Sequence, residues 1–341
     1  MTTYRTTLLE QAAQLILMLG GSEKVAVLLN GRKGANFKFG QIDFGQLEAI
    51  LNKIVKTAGG DEKAIEQLLG GESEIQLIKA VKKLFNQHGH RIPPQGMKAA
   101  HTDPNRSFNL IQPALETVDT LALRLVRSQE AFQPEPIMMA ADFQGKVHEL
   151  LAALRADEQI ANLTDSVCLP IILPQIEQKD FDYGRTLGQV FVVAAKKAYE
   201  KEFPGRPFNY RQDDLAGHVT IIDESHRRLV ERLFQSHLIA LYFPNPLQGF
   251  SVHAQREQME SLPTTLHLAG GLDILSAVTM YPDVLGRDSN TPGLDMAALE
   301  WRDAASSLNF EAHDGYAGFD DRTHLGNAGG RYSGGLVFCL P

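Results

Sequence analysis

The sequence VCLPIIL, residues 167–173, is an uncharged apolar run of strand length that is followed at once by Pro174. Its apolar residues do not alternate with polar ones, which is typical of a β-strand that is buried on both faces. Similar short runs recur as HVTII at residues 218–222 and LIALYF at residues 238–243. Together these runs predict strands of a sheet that is covered on both sides.

Segments of helical period separate these predicted strands. TLGQVFVVAAKKAYEKEF, residues 186–203, places apolar side chains on one side and most of its lysines on the other, and HRRLVERLFQS, residues 226–236, does the same. Strands that alternate with helices indicate crossover connections in a parallel sheet. For residues 163–341 we therefore predict an α/β domain with a mostly parallel sheet flanked by helices, a three-layer sandwich.

The first half of the chain predicts three further parts. Residues 1–90 contain several amphipathic helical patterns and two strand-like runs joined by a glycine-containing turn, which indicates a mainly helical module with one β-hairpin. Residues 91–107 mix Pro, Gly and polar residues without an apolar period and are expected to form a linker or a long loop. Residues 108–162 hold two amphipathic patterns and are expected to form a helical connector.

Composition excludes several classes of function. The net charge of −8 argues against a nucleic-acid partner, which requires clustered positive charge. No apolar run approaches the roughly 20 residues that span a bilayer, so no membrane partner is expected. The start of the chain lacks the pattern of a secretory leader, which favours a cytoplasmic protein or export by a route without a cleavable signal peptide. The sequence leaves the oligomeric state open.

The charge is unevenly distributed along the chain. Lys and Arg outnumber Asp and Glu by 4 in residues 1–100, whereas residues 101–341 carry a net charge of −12. Lys79, Lys82 and Lys83 lie together on the polar face of one predicted N-terminal helix. That face could bind an acidic protein partner, although a solvated helix face is the commoner explanation of three lysines.

The two cysteines, Cys168 and Cys339, both lie within apolar strand-like runs. A free thiol in such a run behaves as a small hydrophobic side chain, so we expect both cysteines to be buried. Cys168 could be a nucleophile, but its place within an apolar strand favours core packing. Neither belongs to a set of Cys and His residues with metal-ligand spacing.

Two candidate catalytic residues come from the predicted sheet. Ligands of open α/β sheets bind at the carboxyl ends of the parallel strands. Asp223 directly follows residues 218–222 and could act as a base, or it could only cap the helix that begins there. His267 precedes the Gly270–Gly271 turn and could face the same crevice, or it could be a hydrogen-bonded imidazole of the core.

The C-terminal stretch NFEAHDGYAGFDDRTHLGNAGGRYSGGLVFCLP, residues 309–341, is rich in glycine and charged residues and is expected to be a long loop that closes with a strand. Its Asp320, Asp321 and His324 offer two carboxylates and an imidazole, which would suit a divalent metal and a hydrolytic water. Asp321 is the third candidate catalytic residue. The alternative is an ordered surface loop with Asx turns and ion pairs.

Three arginines in the same part of the chain could bind an anionic group through bidentate hydrogen bonds. They are Arg287, Arg322 and Arg331. Together with the candidate acids they predict a site for a small phosphorylated or otherwise anionic substrate.

Two hypotheses about function follow. The first is a hydrolase or transferase whose site is formed by Asp223, His267 and Asp321, with a divalent metal as the candidate cofactor. The second is a non-catalytic binding, regulatory or effector protein that engages an acidic protein partner through its basic N-terminal helices. The sequence contains neither GxGxxG after a strand, nor GxSxG, nor HExxH, so no motif with a fixed mechanism separates the two.

Overall fold

The structure, a computed structural model, describes residues 83–113, 118–132, 138–210 and 215–340. All of them belong to one compact unit, Val81–Pro341. Nearly all of the predicted helical module with a hairpin, residues 1–90, lies outside the described residues. Residues 83–113, which include the predicted linker, form no regular helix or strand but are hydrogen-bonded to the rest of the unit. Thr102 N, for example, donates to Gly249 O at 2.9 Å, and Asn105 N donates to Gly330 O at 3.0 Å.

Helices and strands are interspersed along the described chain. The helices are α1 (Val118–Phe132), α2 (Ala140–Ala156), α3 (Tyr183–Thr186), α4 (Val193–Glu202), α5 (Glu224–Leu233), α6 (Val252–Gln258), α7 (Gly271–Met280) and α8 (Pro282–Leu285). A π-helical stretch, Leu187–Val192, joins α3 to α4, and short 3-10 helices lie at Ala161–Asp165 and Met259–Ser261. The strands are β1 (Leu169–Leu173), β2 (Phe208–Tyr210), β3 (Val219–Ile221), β4 (Leu238–Phe243), β5 (Leu266–Leu268), β6 (Gly293–Asp295), β7 (Leu299–Trp301), β8 (Ser307–Ala312), β9 (Ala317–Arg322), β10 (Tyr332–Gly334) and β11 (Leu336–Phe338).

One sheet has four strands in the order β1-β4-β11-β5, and helices pack against it. Every residue of β1, β5 and β11 is buried, so both faces of this sheet are covered, as their apolar sequences predict. Helix α7 packs against β1, α2 against β4 and α5 against β5. The expected mixture of helices and strands is therefore confirmed.

The predicted parallel arrangement is wrong. All three neighbouring pairs of the four-stranded sheet are antiparallel, so the domain is not a mostly parallel three-layer sandwich. An unbroken apolar run reports that both faces of a strand are buried, and it contains no information about the direction of its neighbour. The next strands after β1 also leave this sheet, since β2 pairs with β9 and β3 pairs with β7. The helix between β1 and β2 consequently does not form a crossover within one sheet.

A five-stranded mixed sheet has the order β10-β6-β8-β9-β2. Its central pairs are antiparallel, and its two outer pairs, β10 with β6 and β2 with β9, are parallel. A tight hairpin at residues 313–316 joins β8 to β9. The stretch 309–341 is therefore not one long loop: half of its described residues belong to strands, and residues 323–331 form its longest segment without strand. Phe310, Ala312, Ala317 and Phe319 follow a strand period, with every second residue buried.

Two short helices next to the four-stranded sheet begin at sequence signals that the chain provides locally. Helix α5 is capped by Asp223, whose Oδ1 accepts a hydrogen bond from His226 N at 3.1 Å. Helix α7 begins after Gly270, whose N donates to Asp273 Oδ1 at 2.9 Å. All residues of this helix are buried, which explains why most of them are apolar. Among the described residues, no helix combines the length and the apolar character needed to cross a membrane.

Candidate functional site

The residues that the sequence singles out lie in two separate regions of the described unit. Asp223 and His267 lie beside the four-stranded sheet, at the start of α5 and in β5. Asp320, Asp321 and Arg322 lie in β9 of the five-stranded sheet. The structure therefore does not combine Asp223, His267 and Asp321 in one set of hydrogen-bonded side chains.

One face of the five-stranded sheet is polar. In the strand register, Asn309 lies opposite both Asp320 of β9 and Asp295 of β6, and Glu311 lies opposite Gly318. Directly opposed residues of an antiparallel pair project from the same face, so these side chains share one side of the sheet. The register places Phe310 and its neighbours on the other side, where they are buried.

This polar face contains an open cavity of about 380 Å³. Its lining combines side-chain amides, carboxylates and three rings: Asn209, Asn309, Glu311, His313, Tyr316, Gly318, Phe319, Asp320 and Asp321. At Gly318 the strand carries no side chain, and an added Cβ would have its nearest neighbours at 3.9 to 4.0 Å. Because that distance is ordinary van der Waals contact, the bare backbone leaves usable space between the polar groups.

Two rings stand at the hairpin end of the cavity. The His313 and Tyr316 rings are stacked, with centroids 4.3 Å apart and planes inclined by 22°. The hairpin fixes this pair, since His313 N donates to Tyr316 O at 2.8 Å. Tyr316 is 38 % exposed, so part of this residue is accessible to a ligand.

The candidate anion-binding arginines each contact a carboxylate of the protein. Arg331 Nη2 donates to Glu311 Oε2 at 2.6 Å, and Arg287 Nε donates to Asp288 Oδ2 at 2.8 Å. Arg322 Nε donates to Asp295 Oδ1 at 3.0 Å. These contacts neutralise guanidinium groups that the sequence hypothesis assigns to an anionic substrate.

Asp295 is a buried carboxyl group within the five-stranded sheet. The carboxyl group is fully buried, which raises its pKa to about 6, and Arg322 and Gln255 oppose that rise. Gln255 Nε2 donates to Asp295 Oδ2 at 2.9 Å. The Asp295 carboxylate therefore accepts hydrogen bonds from two side chains, Arg322 and Gln255.

The predicted metal ligands do not converge. Asp320 and Asp321 are adjacent in β9, where successive side chains point to opposite faces, and His324 follows the strand with a φ of 56°. In the parts of the chain that the structure describes, no group of three or more His, Cys, Asp or Glu side chains is placed to hold a metal ion.

A second polar cluster links Asp223 to His267. Ser225 Oγ donates to Asp223 Oδ1 and accepts from Leu268 N at 2.9 Å. The Nδ1 of His267 lies 2.6 Å from Ser225 O, and its Nε2 lies 3.2 Å from Cys339 Sγ. Burial lowers the pKa of His267, and Arg228 and Arg232 lower it further. The imidazole is therefore neutral at physiological pH.

A third cluster is completely buried and was not predicted from the sequence. Tyr183 Oη lies 2.9 Å from His226 Nε2 and accepts a hydrogen bond from Gly271 N at 2.9 Å. Asp273 accepts from Gly270 N at 2.9 Å, and its Oδ1 lies 3.8 Å from His226 Nδ1. The sequence signal for this cluster is a His in the first turn of the amphipathic helix α5 and an Asp in the first turn of the apolar helix α7.

Comparisons of the chain with models of known protein families, with curated proteins and with solved structures find no match.

Proposed function

We propose that this protein binds a small neutral polyhydroxylated molecule, a mono- or disaccharide, in the cavity on the polar face of the five-stranded sheet. The observation that carries the proposal is the combination of amides, carboxylates and an exposed tyrosine ring around the bare backbone of Gly318. A binding site of this kind needs a few polar groups to fix the orientation of its ligand and an apolar surface to pack against it.

The lining matches the chemistry of sugar hydroxyl groups. A hydroxyl group both donates and accepts hydrogen bonds, carboxylates such as Glu311 accept them, and the side-chain amides of Asn209 and Asn309 do both. The ring of Tyr316 offers a flat apolar surface on which the C–H face of a pyranose can pack. The absence of a side chain at Gly318 lets a sugar ring approach the strand closely.

A neutral ligand fits the surroundings better than an anionic one. Among the described lining residues there is neither a lysine nor an arginine, and the neighbouring Arg331 contacts Glu311. A phosphate in the cavity would meet carboxylates, and like charges in close contact are destabilising. These contacts favour a neutral polyol over the phosphorylated substrate expected from the sequence.

The test is a thermal-shift and calorimetric titration of the purified protein with glucose, galactose, mannose, xylose, maltose and cellobiose, beside inorganic phosphate. A ligand at ten times its Kd stabilises the native state by about 1.4 kcal/mol. In a domain of this size that free energy raises Tm by roughly 3–5 °C. We expect such a shift with at least one sugar and none with phosphate.

Two substitutions separate binding from folding. Gly318→Ile should abolish the sugar-dependent shift, because its side chain occupies the cavity while a β-branched residue suits the interior of a strand. Gly315→Ala is the matched control, since it lies at the tip of the same hairpin with open space around its Cβ. A shift that survives in Gly318→Ile, or a shift with phosphate alone, would contradict the proposal.

Hydrolysis or group transfer on a phosphorylated or otherwise anionic substrate stays a prediction. Catalysis at this face is tested by assaying the disaccharides, maltose and cellobiose, for cleavage of the glycosidic bond. Capture of an acidic protein partner by Lys79, Lys82 and Lys83 also stays a prediction. Of these lysines only Lys83 belongs to the described residues, and its Nζ donates to Asn162 Oδ1 at 3.2 Å.

A further inference from the structure

Cys339 lies in a polar environment that its apolar sequence context does not indicate. It follows β11 directly, and its backbone N donates to Thr265 O at 3.2 Å, which extends the pairing with β5. This pairing brings the thiol to the side of His267 in β5, whose Nε2 is 3.2 Å from Cys339 Sγ. Arg232 of α5 completes the environment, with its Nη1 donating to the same sulfur at 3.0 Å.

The hydrogen bonds fix the tautomer of His267. Its Nδ1 lies 2.6 Å from the carbonyl oxygen of Ser225, which can only accept, so the Nδ1 atom must carry the proton. The Nε2 atom of the neutral ring is then an acceptor and faces the Cys339 thiol. A base in contact with a nucleophile, and itself oriented by a third group, is the arrangement that activates nucleophilic side chains.

Arg232 supplies the second requirement for a reactive thiol. A thiolate is stabilised by a neighbouring cation, and the Arg232 guanidinium donates directly to Cys339 Sγ. At rest the thiol stays protonated, because burial raises the pKa of Cys339 although Arg232 opposes the rise. The proton therefore has to move to His267 when the sulfur attacks.

The other cysteine provides an internal comparison. Cys168 is 5 % exposed and Cys339 is 2 % exposed, so exposure alone would make Cys168 at least as reactive. Burial raises the pKa of Cys168 to about 12. Within the described residues neither an imidazole nor a guanidinium is hydrogen-bonded to its sulfur.

We propose that Cys339 is a nucleophilic thiol that reacts with peroxides, with His267 as its base and Arg232 as the group that stabilises the thiolate. In this reaction the thiol proton moves to His267 Nε2 and the sulfur attacks one oxygen of the peroxide. The O–O bond breaks, an S–O bond forms, and the departing oxygen takes the proton from His267. Sulfur is oxidised to a sulfenic acid, and hydrogen peroxide is reduced to water.

The experiment compares the two cysteines within one protein. The full chain is treated with hydrogen peroxide in the presence of dimedone, which traps sulfenic acids, and with iodoacetamide in a parallel series. Mass spectrometry then gives the rate of modification at each cysteine. We expect Cys339 to react at least tenfold faster than Cys168 with both reagents. Equal rates, or faster reaction at Cys168, would overturn the proposal.

Two variants test the assigned roles. His267→Gln keeps a polar side chain but removes the base. Arg232→Gln removes the cation that donates a hydrogen bond to Cys339 Sγ. Each should lower the rate at Cys339 about tenfold and leave the rate at Cys168 unchanged. If His267→Gln fails to fold, the proposal is tested by two other results. These are the rate at Cys339 in Arg232→Gln and the ratio of the rates at Cys339 and Cys168 in the wild-type protein. An unchanged rate at Cys339 in a folded variant would refute the role of that residue.

A further series of measurements distinguishes an activated thiol from a thiol that is exposed by local opening around β11. Reaction in the native state is insensitive to low concentrations of urea, whereas reaction through an opened state accelerates steeply. We expect the rate at Cys339 to stay constant up to about 1 M urea. Acceleration that parallels the rate at Cys168 would show that opening, and not His267, controls the reaction.

Discussion

Replacing Asp273 with Asn should change how the stability of this protein depends on pH. Asp273 is completely buried in the first turn of α7, and that burial raises its pKa to about 8, against the opposing hydrogen bond from Gly270 N. Its neighbour His226 is also completely buried, which lowers the pKa of the imidazole to about 3, with a further contribution from His267. The two groups therefore share a single proton between about pH 3 and pH 8.

The number of protons bound in the folded and unfolded states determines whether the free energy of unfolding rises or falls with pH. In the unfolded chain the pKa values are 3.8 for Asp273 and 6.5 for His226, so the pair also holds one proton between these values. Stability is then independent of pH in that window, as far as this pair is concerned. Above pH 6.5 the unfolded pair loses its proton while the folded pair keeps it. The free energy of unfolding consequently falls by about 2 kcal/mol between pH 6.5 and pH 8.

The variant Asp273→Asn removes this loss and leaves His226 as the titrating group. An Asn oxygen can still accept from Gly270 N, so the start of α7 keeps its hydrogen bond. Because the folded His226 stays neutral, the variant should gain stability as pH rises from about 3 to 6.5 and should be independent of pH above that. The difference between wild type and variant isolates this pair from all other titrating groups.

The assay is urea unfolding at pH 5.5, 6.5 and 8, followed by the fluorescence of Trp301, which is the single tryptophan and is buried. We expect the stability of Asp273→Asn relative to wild type to increase by about 2 kcal/mol between pH 6.5 and pH 8. A constant difference, or a decrease over the same interval, would refute the assigned protonation state of the pair.

Two further substitutions test the packing of the helices by the same assay. Asp283→Asn should destabilise the protein by roughly 2–3 kcal/mol, because Arg124 and Arg127 both donate to this carboxylate and would lose their partly buried partner. A loss below about 0.5 kcal/mol would show that these two ion pairs contribute no more than ordinary surface ion pairs. Gly184→Ala should cost more than about 3 kcal/mol, since its Cβ would lie 1.8 Å from Leu215 O, and a stability equal to wild type would contradict the close approach of these two segments.

Local features of the fold could be read from the sequence. The run at residues 238–243 is strand β4, Leu238–Phe243, and Asp223 caps α5, because burial and capping depend on neighbouring residues along the chain. The direction of the strands could not be read. An antiparallel sheet that is covered by helices on both faces produces the same apolar runs as a parallel one, so composition does not distinguish them.

The polar sheet face could be predicted only in part. Asp320 and Asp321, which the sequence singles out, line the cavity, but Glu311, Tyr316 and Gly318 were not singled out. Glycine and charged residues suggested a loop, whereas the strand period of the buried residues was the stronger signal. The contact between Cys339 and His267 joins residues 72 positions apart, and only the pairing of β5 with β11 brings them together.

The proposed sugar site is tested most directly by a crystal structure of the protein in complex with the sugar that gives the largest thermal shift. We predict that the sugar ring lies over Gly318 and packs on Tyr316, with its hydroxyl groups hydrogen-bonded to Glu311 and Asn309. A sugar bound elsewhere on the protein, or an empty cavity at saturating sugar concentration, would contradict this prediction.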